Sequence, residues 1–334
     1  MPHPKTMADG QQRNSFDPVA ARARGRRYRR RILEMARTVP ALHIGGAFSC
    51  LEMVDAIYHS LMRRDAGGGY LDTFLLSKGH GAVIQYVILD ALGILPKGEL
   101  EKYCTIGGRL GMHPDYGVPG IAASTGSLGH GLSMSVGMAI AERQNGKGGT
   151  IYVVLSDGEL QEGSTWEAVL IASSLKVANL VVMVDNNDFQ TIGRTSLTHP
   201  SLYPMAEKFR AFGWESVEMD GHDSEGVVRA VTGRDGSKPF MLVGKTIKGK
   251  GVSFMEDTSI WHYRTPNQDE FDRAMAELAE DRPGGTCSPR RCTSMPRPIR
   301  GSTSSPPTCR RPDRWPGSPP TRRSASSMSA SPSR

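Results

Sequence analysis

Two short apolar runs in the middle of the chain indicate strands that are buried on both faces. Residues 151–155 (IYVVL) and 180–184 (LVVMV) are rich in aliphatic and β-branched side chains, as in parallel sheets that helices cover on both sides. Residues 165–176 between them have helical periodicity, so the three segments make a βαβ unit. Residues 215–219 and 240–243 indicate two further strands. The pattern therefore predicts an α/β fold with a doubly wound parallel sheet.

The two ends of the chain follow different patterns. Residues 17–39 have helical spacing, and residues 1–16 before them are interpreted as a flexible leader. Residues 283–334 contain eleven Pro, twelve Ser and ten Arg, and such a composition cannot offset the entropy of ordering by burial. We therefore predict a folded domain over residues 17–282 and a disordered C-terminal tail. The tail also resembles a GC-rich reading frame entered out of register.

The net charge of +7 would favour a nucleic-acid partner if it lay on the folded domain. The tail carries ten Arg and one Asp, a net of +9, which leaves −2 for the other residues. The body of the chain is therefore not basic, and we predict no nucleic-acid partner. A basic run in the first helix is expected on its solvent-exposed face: Arg26, Arg27, Arg29, Arg30 and Arg31.

The sequence has no run of 18 apolar residues and no apolar N-terminal segment with a small-residue cleavage site. We therefore predict neither a membrane span nor a secretory signal, and we expect a cytoplasmic protein. Cys50 and Cys104 lack the close spacing of a metal site and are predicted to be buried thiols. The other three cysteines lie in the tail.

The polar segments that follow the two apolar runs are candidates for a metal–diphosphate site. SDGE (156–159) follows the first run, and DNN (185–187) follows the second. Ligands of open α/β sheets bind beyond the carboxyl ends of the strands, and a right-handed crossover brings two such ends together. An Asp carboxylate and an Asn carbonyl oxygen suit Mg²⁺, and Gly158 lets a phosphate approach the backbone. Either segment alone would fit an ordinary turn, but their positions after adjacent strands favour the metal site.

The segment SDGELQEGSTWEAVLIASSLKVANLVVMVDNN (156–187) resembles the thiamine-diphosphate motif of transketolases. Further segments match that family in the same order: SKGHG (77–81), GMHPD (111–115), STGSLGHGLSMSVGMA (124–139), KGKGVSFME (248–256) and WH (261–262). The likeness covers roughly residues 17–275 and is closest to the separately encoded N-terminal subunit of two-chain transketolases. It implies the diphosphate-binding domain of the thiamine-diphosphate-binding fold.

The resemblance also implies which positions hold the cofactors. Three positions would bind Mg²⁺, the last through its carbonyl oxygen: Asp157, Asn187 and Phe189. Three would contact the diphosphate: Gly158, His80 and His262. Two would touch the aminopyrimidine ring: Gly126 and Leu128.

Most of the catalytic residues that the resemblance implies are histidines: His43, His80, His113 and His262. Imidazoles suit hydrogen bonding and proton exchange near neutral pH, and the first three lie in glycine-flanked segments typical of groups that reach a cleft. A histidine taken alone is more often a packed or surface residue, and four receive that interpretation: His59, His130, His199 and His222. Glu162 would join an acidic network that links paired active sites.

Two departures from the family pattern bear on function. Ser156 replaces the usual first glycine of the turn, where the backbone packs closely. More important, nothing after residue 275 matches the pyrimidine-binding domain, which in this family supplies the glutamate that activates the cofactor. The resemblance therefore implies that the partner is a C-terminal transketolase subunit, that the two chains form an α₂β₂ assembly, and that this chain alone has little or no turnover.

The predicted function is transfer of a two-carbon ketol unit from a ketose phosphate to an aldose phosphate, with thiamine diphosphate and Mg²⁺ as cofactors. Three alternatives stay open. One is a subunit of another thiamine-diphosphate enzyme, either deoxyxylulose-phosphate-synthase-like or a transketolase specialised for another sugar. The second is a non-catalytic partner-binding subunit, which the intact Asp157 and Asn187 argue against. The third is a nucleic-acid-binding protein that acts through its tail.

Overall fold

The computed structural model describes residues 13, 15–39, 42–191 and 193–279. The predicted tail, 283–334, lies outside these residues, as does most of the predicted leader, 1–16. Among the described residues, no helix combines the length and the apolar content needed to cross a membrane.

The described residues form seven strands and ten α-helices. The strands are β1 (Thr73–Leu76), β2 (Ile151–Ser156), β3 (Leu180–Asn186), β4 (Phe189–Gln190), β5 (Gly193–Arg194), β6 (Glu215–Asp220) and β7 (Phe240–Lys245). The helices are α1 (Pro18–Met35), α2 (Ile44–Ser49), α3 (Leu51–Ala56), α4 (Ala82–Ala91), α5 (His130–Gln144), α6 (Gly163–Ser174), α7 (Thr195–Thr198), α8 (Met205–Ala211), α9 (Ser224–Thr232) and α10 (Gln268–Glu277).

Five of the strands form one parallel sheet in the order β1-β2-β3-β7-β6. The four predicted strands are β2, β3, β6 and β7, and the helix predicted between the first two is α6, so these predictions are confirmed. β1 was not predicted, because four apolar residues before a glycine-rich segment are too short a run to show a period. β4 and β5 pair separately as a short antiparallel hairpin.

Helices cover both faces of the sheet, because successive strand side chains point to opposite sides. On one face, Tyr152, Val154 and Val181 pack in a core with α1, α3, α4 and α9. On the other face, Val153 and Val182 pack with α5, α6 and α8. Strands buried on both sides explain the continuous apolar runs in the sequence, and the doubly wound architecture is confirmed.

Two predictions about individual side chains are wrong. Arg29, predicted on the exposed face of α1, is only 5% exposed. Its guanidinium donates to Glu52 at 2.7 Å and to the Phe48 carbonyl at 3.2 Å, because the helical period turns it to the same face as the apolar residues three and four positions later. Cys104, predicted to be buried, is exposed and lies in a turn with a φ of 54°. The other cysteine of the body is buried as predicted.

The burial of β7 can be tested by truncating one of its side chains. Leu242 is fully buried, whereas Leu197 is 77% exposed, so the same substitution removes very different contacts. We expect Leu242→Ala to lower the free energy of unfolding by about 2–5 kcal/mol, because it loses apolar burial and leaves a cavity. Leu197→Ala should change it by less than about 0.5 kcal/mol. Urea unfolding followed by circular dichroism measures both, and similar losses would contradict the core described here.

Candidate active site

A cleft of about 420 Å³ lies at the carboxyl edge of the sheet. β2 ends at Ser156, which pairs with Asp185 near the end of β3. The two polar segments that follow these strands are therefore adjacent, as predicted. Nine of the predicted site residues line the cleft: His43, His80, Gly126, Leu128, Gly158, Glu162, Asn187, Phe189 and His262.

Asp157 is fully buried directly behind the wall of the cleft. Its Oδ1 accepts a hydrogen bond from the Gly158 backbone N–H at 2.8 Å, and its Oδ2 accepts one from the Thr195 hydroxyl at 2.9 Å. Burial, followed by the nearby Asp185 carboxylate, raises the pKa of Asp157 to about 7. A cation beside this carboxyl group would favour its charged form.

Asn187 is oriented by hydrogen bonds on both sides of its amide. The amide nitrogen donates to Asp185 Oδ2 at 3.0 Å and to Ser49 Oγ at 3.2 Å. The carbonyl oxygen accepts from the Phe189 backbone N–H at 3.0 Å and retains a second lone pair. The oxygen is therefore the atom of this amide that could bind a cation.

The oxygen donors at this edge fit Mg²⁺. Asp157 offers a carboxylate, Asn187 an amide oxygen and Phe189 a backbone carbonyl, and Mg²⁺ prefers such hard ligands. In the described part of the chain, no group of three or more His, Cys, Asp or Glu side chains could hold a metal ion. A cation at this position would therefore need further oxygens, such as those of a diphosphate.

A buried ion pair lies beneath these donors. Lys78 and Asp185 are both fully buried, and Lys78 Nζ contacts Asp185 Oδ2 at 2.5 Å and donates to the Gly46 carbonyl at 2.9 Å. Burial would raise the pKa of Asp185, but the Lys78 cation and the donors around the carboxylate lower it below its ordinary value. Asp185 therefore remains charged and orients the Asn187 amide rather than offering itself as a ligand.

Three histidine rings meet on the opposite wall. The His43 ring centre lies 5.2 Å from that of His80 and 5.4 Å from that of His262. Burial lowers the pKa of His43 to about 3 and that of His262 to about 4, and it lowers the pKa of His80 well below the ordinary value. All three rings are therefore neutral at pH 7, so each has one donor and one acceptor nitrogen. His43 Nδ1 is buried and has no hydrogen-bond partner among the described residues.

Lys248 gives the cleft a positive charge. It is 2% exposed, and its Nζ lies 2.7 Å from His262 Nδ1. Burial, followed by the neighbouring Lys78 cation, lowers the pKa of Lys248 to about 8. Because Lys78 is neutralised by Asp185 and Lys248 forms no ion pair within the described residues, an anion in the cleft would be stabilised. A diphosphate fits this charge pattern.

The glycine-rich turn before α5 closes one side of the cleft. Gly126 has a φ of 141°, and a Cβ there would lie 2.7 Å from Cδ2 of His113, so only glycine lets the two segments touch. His113 itself is exposed at the rim and does not line the cleft. Buried Glu159 anchors the turn, because it accepts hydrogen bonds from the Gly129 N–H at 2.9 Å and from the Ser77 hydroxyl.

The sequence matches the family described as "Transketolase, thiamine diphosphate binding domain" over residues 30–282. The chain belongs to the transketolase family. Among its relatives, one of the named subunits of the apulose-4-phosphate transketolase of Phocaeicola vulgatus is 38% identical over 257 residues, which are 75% of this chain and 91% of that protein. The 6-deoxy-6-sulfo-D-fructose transketolase subunit of a Clostridium species is also 38% identical, over 72% of this chain and 89% of that protein.

Full-length transketolases match over less of their own length. Human transketolase is 34% identical over 71% of this chain, but the match covers 38% of that protein. The crystal structure of Campylobacter jejuni transketolase superposes with a TM-score of 0.72 and 23% identity over 79% of this chain and 43% of that one. This structural likeness establishes a transketolase-like fold, and the relatives' names place the chain in a family of transferases.

Three buried polar groups of this transketolase-family domain were missed by sequence reasoning: Lys78, Glu159 and Lys248. Each lies inside or beside a segment that matches the family. A lysine or glutamate beside a glycine is, however, usually a solvated residue, and only burial distinguishes these three. The one usable signal was Lys78, which follows a short apolar run closely.

The raised pKa of Asp157 generates a stability prediction for metal-free protein. The penalty for its charged form is absent below the unfolded pKa of 3.8, grows as the pH rises towards 7 and is complete above it. Asp157→Asn should therefore raise the free energy of unfolding at pH 8 in EDTA by roughly 2–4 kcal/mol, with little effect near pH 4. Thr195 can tolerate the change, because its hydroxyl also lies 3.2 Å from Asp188 Oδ1.

Urea unfolding at pH 4.5 and pH 8 measures this effect. Asp272→Asn is the matched control, because Asp272 is exposed on α10 and should shift neither value. An Asp157→Asn protein that is less stable than the parent at pH 8 in EDTA would contradict the uncompensated charge.

Proposed function

We propose that this chain is one subunit of a split transketolase that binds thiamine diphosphate and Mg²⁺. Together with a partner, it would transfer a two-carbon ketol unit from a ketose phosphate to an aldose phosphate. The observation that carries the proposal is the adjacency of Asp157 and Asn187 at the carboxyl ends of β2 and β3. These donors lie against a cleft with an unpaired Lys248 and neutral histidines, which suits a diphosphate and its metal ion.

The proposed ligands of Mg²⁺ are the Asp157 carboxylate, the Asn187 amide oxygen and the Phe189 carbonyl. The diphosphate would contact the Gly158 backbone, His80 and His262, and Lys248 would balance its charge. The aminopyrimidine ring would rest on the turn that includes Gly126 and Leu128. Bound thiamine diphosphate supplies the carbon nucleophile and electron sink that a ketol transfer needs.

The histidines would bind and orient the sugar. At pH 7 the neutral rings of His43 and His80 can each accept from one hydroxyl and donate to another. The unpartnered His43 Nδ1 is one such position. His113 at the rim would contact the far end of the substrate, and exposed Glu162 would join an acidic network between paired active sites.

The proposed partner is a C-terminal transketolase subunit that carries the pyrimidine-binding domain, in an α₂β₂ assembly. Support comes from coverage: the chain spans 91% and 98% of two relatives that are named as single subunits of apulose-4-phosphate transketolases, but 38% of human transketolase. The partner would supply the glutamate that activates the cofactor. We propose neither a nucleic-acid nor a membrane partner.

A specialised sugar substrate is the second candidate. The relatives with high coverage are named for apulose 4-phosphate and 6-deoxy-6-sulfo-D-fructose, rather than for the pentose phosphates alone. The same cleft would serve either substrate class, because the phosphate-binding arginines of the family lie on the partner domain. Product analysis with both classes of donor would separate the two candidates.

The function can be tested by a ketol-transfer assay with thiamine diphosphate and Mg²⁺. We expect no turnover from this chain alone and turnover when a pyrimidine-domain subunit from the same genome is added. Xylulose 5-phosphate and apulose 4-phosphate would be compared as donors, with an aldose phosphate as acceptor. Turnover by the chain alone would overturn the proposal of a split site.

Asp157→Ala identifies the metal site within that assay. We expect it to reduce kcat/KM by more than about 100-fold, because it removes a direct ligand, and to abolish Mg²⁺-dependent binding of thiamine diphosphate to this chain. Asp272→Ala, which removes an exposed carboxylate from α10, is the control and should have no effect. Equal losses in the two variants would show that Asp157 does not hold the metal.

We further propose that residues 17–282 contain the whole cofactor-binding domain. Truncation after residue 282 should leave the affinity for thiamine diphosphate and Mg²⁺ unchanged within about twofold, because the matched family ends there. Isothermal titration measures it. A large loss of affinity would contradict the boundary. Salt-sensitive binding of nucleic acid that disappears with the truncation would instead support a role for the basic tail.

A further inference from the structure

A second cavity of about 420 Å³ lies at the other edge of the sheet. Its wall includes Thr150, which immediately precedes β2, and Asn179, which immediately precedes β3. Gly236 contributes from the loop that leads to β7. Because the strands are parallel, this is the amino edge, and the length of β2 separates it from the catalytic cleft by about 20 Å. The two cavities are therefore distinct.

The walls of this cavity are cationic. Three basic residues line it, from the ends of α5, α6 and α9: Arg143, Lys176 and Arg234. No acidic residue is among the residues that line it. The nearest carboxylates are already engaged: Asp72 pairs with Arg63 at 2.6 Å, and Glu215 accepts from the Asp235 N–H at 2.9 Å.

The cations are held in place by backbone carbonyls rather than by carboxylates. Arg143 Nη1 donates to the carbonyls of Leu175 and Lys176 at 2.9 and 3.2 Å, and Arg234 Nη1 donates to the Val231 carbonyl at 2.8 Å. Neutral acceptors fix a guanidinium without neutralising its charge. The positive charge at this edge therefore remains available to a ligand.

Two wall residues carry buried polar atoms with no partner among the described residues. Arg234 Nε is an unmatched donor, and Asn179 Oδ1 is an unmatched acceptor. The amide nitrogen of Asn179 is used by the carbonyls of Ala139 and Gly149 at 2.9 and 3.0 Å. Buried polar atoms usually find partners, so these two indicate a molecule that offers both an acceptor and a donor.

The electrostatic balance around Arg234 agrees with this interpretation. Burial lowers its pKa below the ordinary value, and the nearby Arg13 cation adds to the effect, whereas Tyr152, Glu215 and Asp72 oppose it. The opposing groups do not restore the ordinary value. A bound anion would complete the compensation.

We propose that this amino-edge cavity binds a small phosphorylated molecule that also carries hydroxyl groups, such as a sugar phosphate. Guanidinium groups match phosphate oxygens in geometry and charge, and a hydroxyl donor would satisfy the Asn179 side. The cavity has the volume of a small-molecule site, which leaves room for more than the phosphate group. This site does not depend on the proposed transketolase reaction.

Isothermal titration of the full chain tests the site with two probes, inorganic phosphate and D-ribose 5-phosphate, and neutral ribose is the blank. We expect Arg234→Gln to weaken the binding of both phosphates about tenfold, since it removes a charged hydrogen-bonding group. Lys147→Gln is the matched control. It removes the same charge from the neighbouring glycine loop without touching the cavity wall, and it should leave the affinities unchanged. Equal losses in the two variants would reduce the effect to general charge and overturn the proposal.

A second pair of variants separates this site from the catalytic cleft and from folding defects. Lys176→Gln changes an exposed side chain and should weaken binding in the same direction even if Arg234→Gln fails to fold. His80→Ala, in the catalytic cleft, should leave this binding intact. Ribose 5-phosphate binding that is lost in His80→Ala but kept in Lys176→Gln would overturn the proposal. Inorganic phosphate binding as tightly as ribose 5-phosphate would overturn the assignment of a hydroxyl donor at Asn179.

Discussion

The buried ion pair between Lys78 and Asp185 is the interaction on which the arrangement of the cleft depends. It joins elements that are distant in sequence: Lys78 follows β1, Asp185 lies near the end of β3, and the Asp185 carboxylate also accepts hydrogen bonds from Ser49 of α2 and from Thr246 after β7. Removing two charges from water is costly, and each additional donor to the carboxylate offsets part of that cost. Loss of either charge would leave the other buried without a counter-ion.

The same ion pair organises the donors above it. Asp185 orients the Asn187 amide, and the negative charge of Asp185 also helps raise the pKa of Asp157. The metal site therefore carries more negative charge than its buried surroundings tolerate when no cation is present. Such a site is pre-organised for a cation at the expense of stability, as functional sites often are.

Charge is distributed differently at the two edges of the sheet. At the carboxyl edge, neutral histidines, one unpaired lysine and a buried carboxyl group with a raised pKa surround the catalytic cleft. At the amino edge, the cations are held by backbone carbonyls, and no carboxylate lines the cavity. The same strands separate these edges, so the parallel sheet isolates two anion-binding environments from each other. An all-parallel arrangement permits this because helix ends gather at both edges.

Much of this protein could be predicted from the sequence alone. Strands buried on both faces produce continuous apolar runs, so β2, β3 and the crossover α6 were identifiable from a local pattern. The Asp157 and Asn187 pair followed from the positions of two short polar segments directly after those strands. Matching segments in the family's order supplied the remaining candidate residues.

Other features were decided only by the tertiary structure. Arg29, Lys78 and Lys248 are buried by contacts with segments far away in the chain, and no local pattern shows such burial. The neutral state of the histidines arises in the same way, because it depends on desolvation by neighbouring elements. The amino-edge cavity is assembled from three helix ends that are adjacent only after the sheet has formed. The sequence determined which chemical groups are present and in what local conformation, whereas the packing of distant segments decided which of them lose water and therefore which carry charge.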